Sequence, residues 1–219
     1  MTHTSAPEVL YTLAQQANPR HTALLVIDLQ NDFCHPNGLA AQAGNDVSDI
    51  AGMLPRLEQL CAEARAVQVP LIYVRQTHDD WNDSGPRRAL PRYKTFYPCR
   101  AGGWGAEFWG ITPGPDDYVL TKHRQSAFVG TSLDLVLRSR GIHTLLLTGT
   151  NTHVCVDCTA RDGFQRDYYV IVVSDCTATG TSNPQQQQAA LANHAGRYGW
   201  VATADELRHV WRAAAAALP

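Results

Sequence analysis

Five consecutive apolar residues, Ala23-Leu-Leu-Val-Ile27, run into an acid at Asp28. A strand with one wet face alternates apolar and polar side chains. This run does not alternate, which predicts burial on both faces, as in a parallel sheet. Parallel neighbours need a long crossover between them, usually a helix. The rest of the chain supplies that alternation. Residues 21–28, 70–75, 117–122, 144–149, 168–173 and 200–203 read as strands. Residues 45–67, 133–140, 154–166, 184–198 and 204–217 read as helices from their apolar spacing. Asp46 or Ser48 is the expected cap of the first of these, and Thr131 or Ser132 of the second. The predicted fold class is α/β, a three-layer α/β/α sandwich in which helices cover both faces of one sheet.

Two regions stand outside this rhythm. Residues 1–20 form an N-terminal extension with a short helix near Val9–Ala14, ended by Pro19. Residues 21–219 form the domain proper. Inside it, residues 76–115 make a long irregular insert holding Trp81, Trp104 and Trp109. An insert of that length in a compact domain is usually a functional loop or an interface element.

Composition narrows the function. A net charge of −2 gives no electrostatic case for nucleic acid or an anionic membrane surface. No run of apolar residues is long enough to span a bilayer, and the first residues do not read as a signal segment, so a cytoplasmic location is expected. In that setting the six cysteines are expected to be reduced thiols.

Active sites of open parallel sheets lie beyond the carboxyl ends of the strands. Asp28 closes the first strand, Lys122 closes the third, and Cys155 follows the fourth by a polar turn, Thr150-Asn-Thr-His153. Each has an ordinary explanation by itself: a turn carboxylate, a solvated lysine, a small buried hydrophobe. Together at equivalent strand ends they make a coherent chemistry. A thiol at a helix start is biased towards thiolate and attacks a carbonyl carbon. A carboxylate takes the thiol proton and returns it to the departing amine, while an ammonium steadies the charges. Backbone N–H groups of the turn receive the oxyanion.

The segments Val26-Ile-Asp-Leu-Gln-Asn-Asp-Phe33, Lys122-His-Arg-Gln-Ser-Ala-Phe128 and Thr148-Gly-Thr-Asn-Thr-His-Val-Cys-Val156, in this order, resemble the isochorismatase-like cysteine hydrolases. The resemblance runs from about residue 21 to about residue 203. It implies a six-stranded, mostly parallel sheet, with Asp28 as general base and acid, Lys122 as charged helper and Cys155 as nucleophile. It also implies a cis peptide between Thr150 and Asn151, with the Asn151 and Cys155 N–H groups forming the oxyanion hole. Members that cleave the vinyl ether of isochorismate lack the cysteine, so Cys155 points to the amidase branch. The substrate implied is a small linear amide, or a ureido or carbamoyl compound, cleaved at a C–N bond through a thioester with release of ammonia.

Metal-dependent nicotinamidases of the family hold a metal through an Asp-x-His pair and a second histidine. Here His78 and Asp80 stand in the opposite order, and no other histidine follows before His123. No metal or other cofactor is therefore expected, and a nicotinamidase-like deamidase remains the alternative. Arg124 is the candidate for a substrate carboxylate. Phe33 and His153 are candidate pocket linings, and Trp81 is a candidate pocket closure or subunit contact. His194 stands nearest to the place of a substrate-holding glutamine in biuret-cleaving relatives. The resemblance implies a homodimer or homotetramer. Cys155-Val-Asp-Cys158 is also a C-x-x-C, the arrangement of a thiol oxidoreductase, though in a chain about twice too long for that fold.

Overall fold

The computed structural model describes residues 9–94, 96–180 and 183–216. The first eight residues of the extension, and the end of the alanine-rich tail, lie outside the described residues.

Six strands form one sheet: β1 (Thr22–Ile27), β2 (Leu71–Gln76), β3 (Tyr118–Lys122), β4 (Thr144–Thr150), β5 (Tyr169–Ala178) and β6 (Trp200–Ala202). Their spatial order is β3-β2-β1-β4-β5-β6. Every pairing is parallel, so the expected "mostly parallel" sheet is wholly so. Among the described residues nine α-helical segments accompany it: α1 (Leu13–Gln16), α2 (Asn31–Cys34), α3 (Leu39–Gln42), α4 (Ser48–Ala66), α5 (Gly85–Ala89), α6 (Leu133–Ser139), α7 (Asp157–Phe164), α8 (Gln185–Arg197) and α9 (Ala204–Ala216).

The period of two in β1 divides the core. Leu24 and Val26 pack with Ile50, Leu57 and Leu60 of α4 and Leu207 and Trp211 of α9. Ala23, Leu25 and Ile27 pack on the other face with Leu133 and Leu137 of α6 and Ala160 of α7. A run apolar at every position is thus required, because both faces are dry. The extension joins the same body: Trp211 Nε1 donates to the Ala17 carbonyl at 3.0 Å, and Leu10 N–H donates to the Tyr169 hydroxyl at 2.9 Å. Pro19 does not simply end α1 but opens a separate 3-10 turn, Pro19–His21, for which its missing N–H is no loss.

Two boundaries differ from the sequence reading. β5 continues past Val173 to Ala178 because the polar Ser174 and Asp175 are absorbed by a slip in register: Leu147 pairs with Val172, yet Gly149 pairs with Thr177. Asp175 Oδ1 accepts from the Ala204 N–H at the start of α9, so its polarity serves a helix start. The helix after β4 begins late. A π-helical turn, Thr152–Val156, precedes α7 and carries Cys155.

The sheet order places a switch point between β1 and β4, where the chain turns from building one half of the sheet to building the other. A crevice forms at the carboxyl ends of such a pair.

Candidate active site

β1, β2, β3 and β4 lie side by side, and a polar residue ends or follows each. Asp28 follows β1 in the left-handed region, φ 53°, which an aspartate tolerates better than most residues. Its backbone N–H is held by the Val74 carbonyl at 2.9 Å. Lys122 ends β3, in register with Gln76 at the end of β2. Lys122 is fully buried, and Asp28 is 1% and Cys155 7% exposed. A lysine at an edge-strand terminus is ordinarily solvated; here three acceptors replace its water. Nζ donates to Asp28 Oδ2 at 2.7 Å, Gln76 Oε1 at 3.0 Å and the Arg124 carbonyl at 3.1 Å. An ammonium has three N–H groups, and all three are used.

The other Asp28 oxygen, Oδ1, is buried with no hydrogen-bond partner among the described residues, and the Cys155 thiol lies close enough to interact with the carboxyl. Cys155 Sγ also lies 3.9 Å from Gln76 Oε1. Burial raises the Asp28 carboxyl above its ordinary range, and the Lys122 charge opposes that rise. Burial, the largest single influence, weakens the Lys122 ammonium, but the charge and hydrogen bond of Asp28, with those of Cys155, together outweigh it and the net direction is upward. Burial, followed by the Asp28 charge, pushes the Cys155 thiol up as well. Cys155 precedes α7 in a π turn, and burial, not the helix start, sets the direction of its shift. These upward shifts keep Cys155 a thiol and Lys122 an ammonium. A carboxylate of raised basicity facing a thiol is suited to take its proton on demand.

The turn before Cys155 is held from several sides. The Thr150–Asn151 peptide is cis. Thr150 Oγ1 donates to Asn151 Oδ1 at 2.6 Å. Gln187 of α8 accepts from the Thr152 hydroxyl at 2.9 Å and donates to the Thr177 carbonyl at 2.9 Å.

Two further residues escaped the sequence reading. Gln76 occupies the strand end between Asp28 and Lys122, a position that only the strand order reveals. Gln30 is fully buried; its Nε2 donates to the Gln76 and Ala106 carbonyls, both at 2.8 Å, and its Oε1 accepts from the Gln76 N–H at 2.7 Å. Its neighbours continue the clamp. Asn31 Nδ2 donates to the Trp104 carbonyl at 2.8 Å, and Asp32 Oδ2 accepts from the Cys99 N–H at 2.6 Å. The polar run after Asp28 thus fastens the insert over the site. The sequence signal was that run itself, too polar for a helix so well buried.

The remaining candidates separate. Phe33 is half-buried against the α4 side of the core, one residue beyond Asp32. His153 is half-buried beside Cys155 in chain and is kept neutral by burial and by Arg92. Arg124 spends Nη1 on the carbonyls of Asn82 and His123, which ties the Lys122 loop to the insert. Trp81 is 98% exposed and packs in no core. His194 is not brought to the site: it is buried between α8 and β5, with Nε2 3.3 Å from the Val170 carbonyl near the amino end of that strand. Its distance in chain from the trio concealed that the helix carrying it runs back along the sheet.

Among the described residues no three His, Cys, Asp or Glu side chains converge to hold a metal ion. His78 commits Nε2 to Gln76 at 2.8 Å, and the exposed Asp80 pairs with Arg100. All described cysteines carry free thiols, Cys155 and Cys158 included. No described helix is long and apolar enough to cross a membrane. A wide groove of about 1620 Å³ opens at the opposite, amino-terminal edge of the sheet, bordered by His21, His143, Tyr169 and Trp200; none of the trio touches it.

The isochorismatase domain model matches residues 22–206. The ureidoacrylate amidohydrolase RutB of Pseudomonas syringae pv. syringae is 36% identical over 204 residues, covering 86% of this chain and 82% of the relative. Among solved structures, a cysteine hydrolase from Pseudomonas syringae pv. phaseolicola superposes with a TM-score of 0.81 at 30% identity, over 96% of this chain and 100% of that one. The N-carbamoylsarcosine amidase of Thermoplasma acidophilum superposes with a TM-score of 0.68 at 29% identity, over 84% and 97%.

Proposed function

Given that the chain belongs to the isochorismatase family, we propose that it is a cysteine-dependent amidohydrolase acting on a C–N bond of a small ureido or carbamoyl compound. The observation that carries the reading is the buried contact of Cys155 with the Asp28–Lys122 pair, whose Nζ–Oδ2 separation is 2.7 Å. The RutB relative adds weight to a ureido acid as substrate.

In the first step Asp28 takes the thiol proton as Sγ bonds to the carbonyl carbon. The carbonyl electrons move onto oxygen, which the Asn151 and Cys155 N–H groups receive. The tetrahedral species then breaks its C–N bond, and Asp28 gives its proton to the leaving nitrogen. A thioester remains. Water attacks it with Asp28 again as base, the C–S bond breaks, and the thiol recovers its proton. Lys122 keeps its charge throughout, holding the carboxylate in place and steadying it while ionised. Arg124, with the part of its guanidinium not held by carbonyls, is the group for a substrate carboxylate, and Phe33 and His153 flank the entrance. No cofactor takes part. Trp81, open to solvent, suits a subunit contact in a homodimer or homotetramer, which light scattering measures. A cytoplasmic location completes the reading.

The test is ammonia release from a panel of ureido acids, biuret-type compounds, maleamate and nicotinamide. Cys155→Ser abolishes release and keeps the fold; full activity in that variant overturns the mechanism. Cys158→Ser leaves release intact, whereas a thiol oxidoreductase would lose its function with either cysteine.

A further inference from the structure

Lys122 forces a choice on Gln76 that propagates one residue further. The amide oxygen and nitrogen of a glutamine are close in shape, and hydrogen-bond partners must tell them apart. An ammonium donates and never accepts, so the atom 3.0 Å from Lys122 Nζ is Gln76 Oε1. The amide nitrogen then faces His78 Nε2 at 2.8 Å. Since an amide nitrogen only donates, His78 Nε2 carries a lone pair and the ring proton sits on Nδ1.

We propose that His78 is a positioning residue, whose unprotonated Nε2 locks the Gln76 amide in the orientation that presents Oε1 to the Lys122 ammonium and the Cys155 thiol. The inference rests on the reading of Cys155 as nucleophile. Gln76 has no freedom elsewhere, because Gln30 holds both its backbone N–H and its carbonyl. His78 is equally fixed: its N–H donates to the Cys99 carbonyl and its own carbonyl accepts from Ala101, both at 2.9 Å. With a flipped amide, an NH₂ would face the ammonium. Lys122 would lose one of its three acceptors, and the Asp28–Lys122 pair would shift relative to Sγ.

The groups facing His78 favour the neutral ring. Arg87 and Lys122 oppose a second proton and Asp83 favours one, while burial, the largest influence, brings the imidazole down to about 4. Asn82 lies beside the ring as an uncharged neighbour, and the buried Nδ1 has no hydrogen-bond partner among the described residues. A proton on Nε2 would set two donors against each other and release the amide.

Two measurements test this. Imidazole ¹⁵N spectra of the whole protein, with the His78 signal assigned by its loss in His78→Gln, report the tautomer. The expected result is Nδ1–H, with Nε2 bare and no titration down to pH 5. An Nε2–H tautomer, or a doubly protonated ring at neutral pH, overturns the proposal whether or not a substrate is known. Kinetics supply the second measurement, with ammonia release from a ureido acid resolved into kcat and KM. His78→Phe keeps the bulk and removes the acceptor; kcat falls about 10- to 100-fold with KM unchanged. His78→Gln returns an acceptor that does not titrate; it restores kcat and removes the part of the acid limb of the kcat–pH profile that protonation of His78 contributes, leaving the part set by Asp28. A phenylalanine variant as fast as wild type, or a glutamine variant no faster than it although both melt like wild type, overturns the positioning role alone. If wild-type protein releases ammonia from no member of the panel, the amidase reading fails instead, and the spectra still decide the orientation of Gln76.

Discussion

Gly149 stands opposite Ile27 in the β1–β4 ladder with no room for a side chain: a Cβ on Gly149 would lie 2.1 Å from the Ile27 carbonyl oxygen. The glycine also has φ +100°, outside the range of other residues. This close approach seals the switch point, directly before Asp28 on one strand and two residues before Asn151 on the other.

Gly149→Ala is therefore expected to destabilise the protein by about 2–5 kcal/mol, as overpacking and backbone strain together. Urea unfolding measures it. Ammonia release should fall further than stability does, because the substitution separates the elements carrying Asp28 and Cys155.

The Asp28–Lys122 pair is dry, so removing one partner strands the other. Lys122→Met and Asp28→Asn should each cost about 3–5 kcal/mol. The double variant should be more stable than the sum of the two losses requires, and it should remain inactive. Strict additivity in a double-mutant cycle would deny the coupling.

Asp28 has opposite effects on catalysis and on simple thiol reactivity. Its negative charge helps to push the Cys155 thiol up, and Lys122 pulls the other way. Asp28→Asn thus leaves a larger thiolate fraction at neutral pH. Alkylation of Cys155 by iodoacetamide, followed by mass spectrometry, should speed up in this variant while ammonia release disappears. In the wild-type protein the alkylation rate should still be climbing above pH 9, the ordinary thiol value.

Four buried or half-buried histidines, His21, His78, His153 and His194, are held below the ordinary value of 6.5 by desolvation. The unfolded chain binds protons at these rings before the folded one does. Stability is accordingly full above about pH 6.5 and declines as the pH falls towards 4, the value of His78. Denaturant midpoints across this window should drop steadily, and His78→Gln should reduce the slope.

Much of this protein is written locally in its chain. Ala23–Ile27 is apolar at every position because both faces of β1 are covered, and that pattern alone implies a parallel sheet with helices on each side. Asp28, Lys122 and Cys155 stood out because strand ends can be found from where apolar runs stop. The resemblance of their surrounding segments to a family gave each a role. Burial, partners and protonation were not legible in this way. Lys122 resembles any surface lysine until β3 is laid beside β2 and three acceptors close around its ammonium. Gln76 and Gln30 looked like ordinary polar residues until the order β3-β2-β1-β4 put one between the acid and the lysine and the other beneath it. The thiol of Cys155 resembled a helix-start thiolate, but the surrounding core raised it instead. His194 was a substrate candidate by its place in the chain and a packing residue by its place in the fold. Apolar periodicity encodes which face of an element is dry. Which polar atoms meet across that dry space depends on strand order and register, and these arise only when the elements assemble.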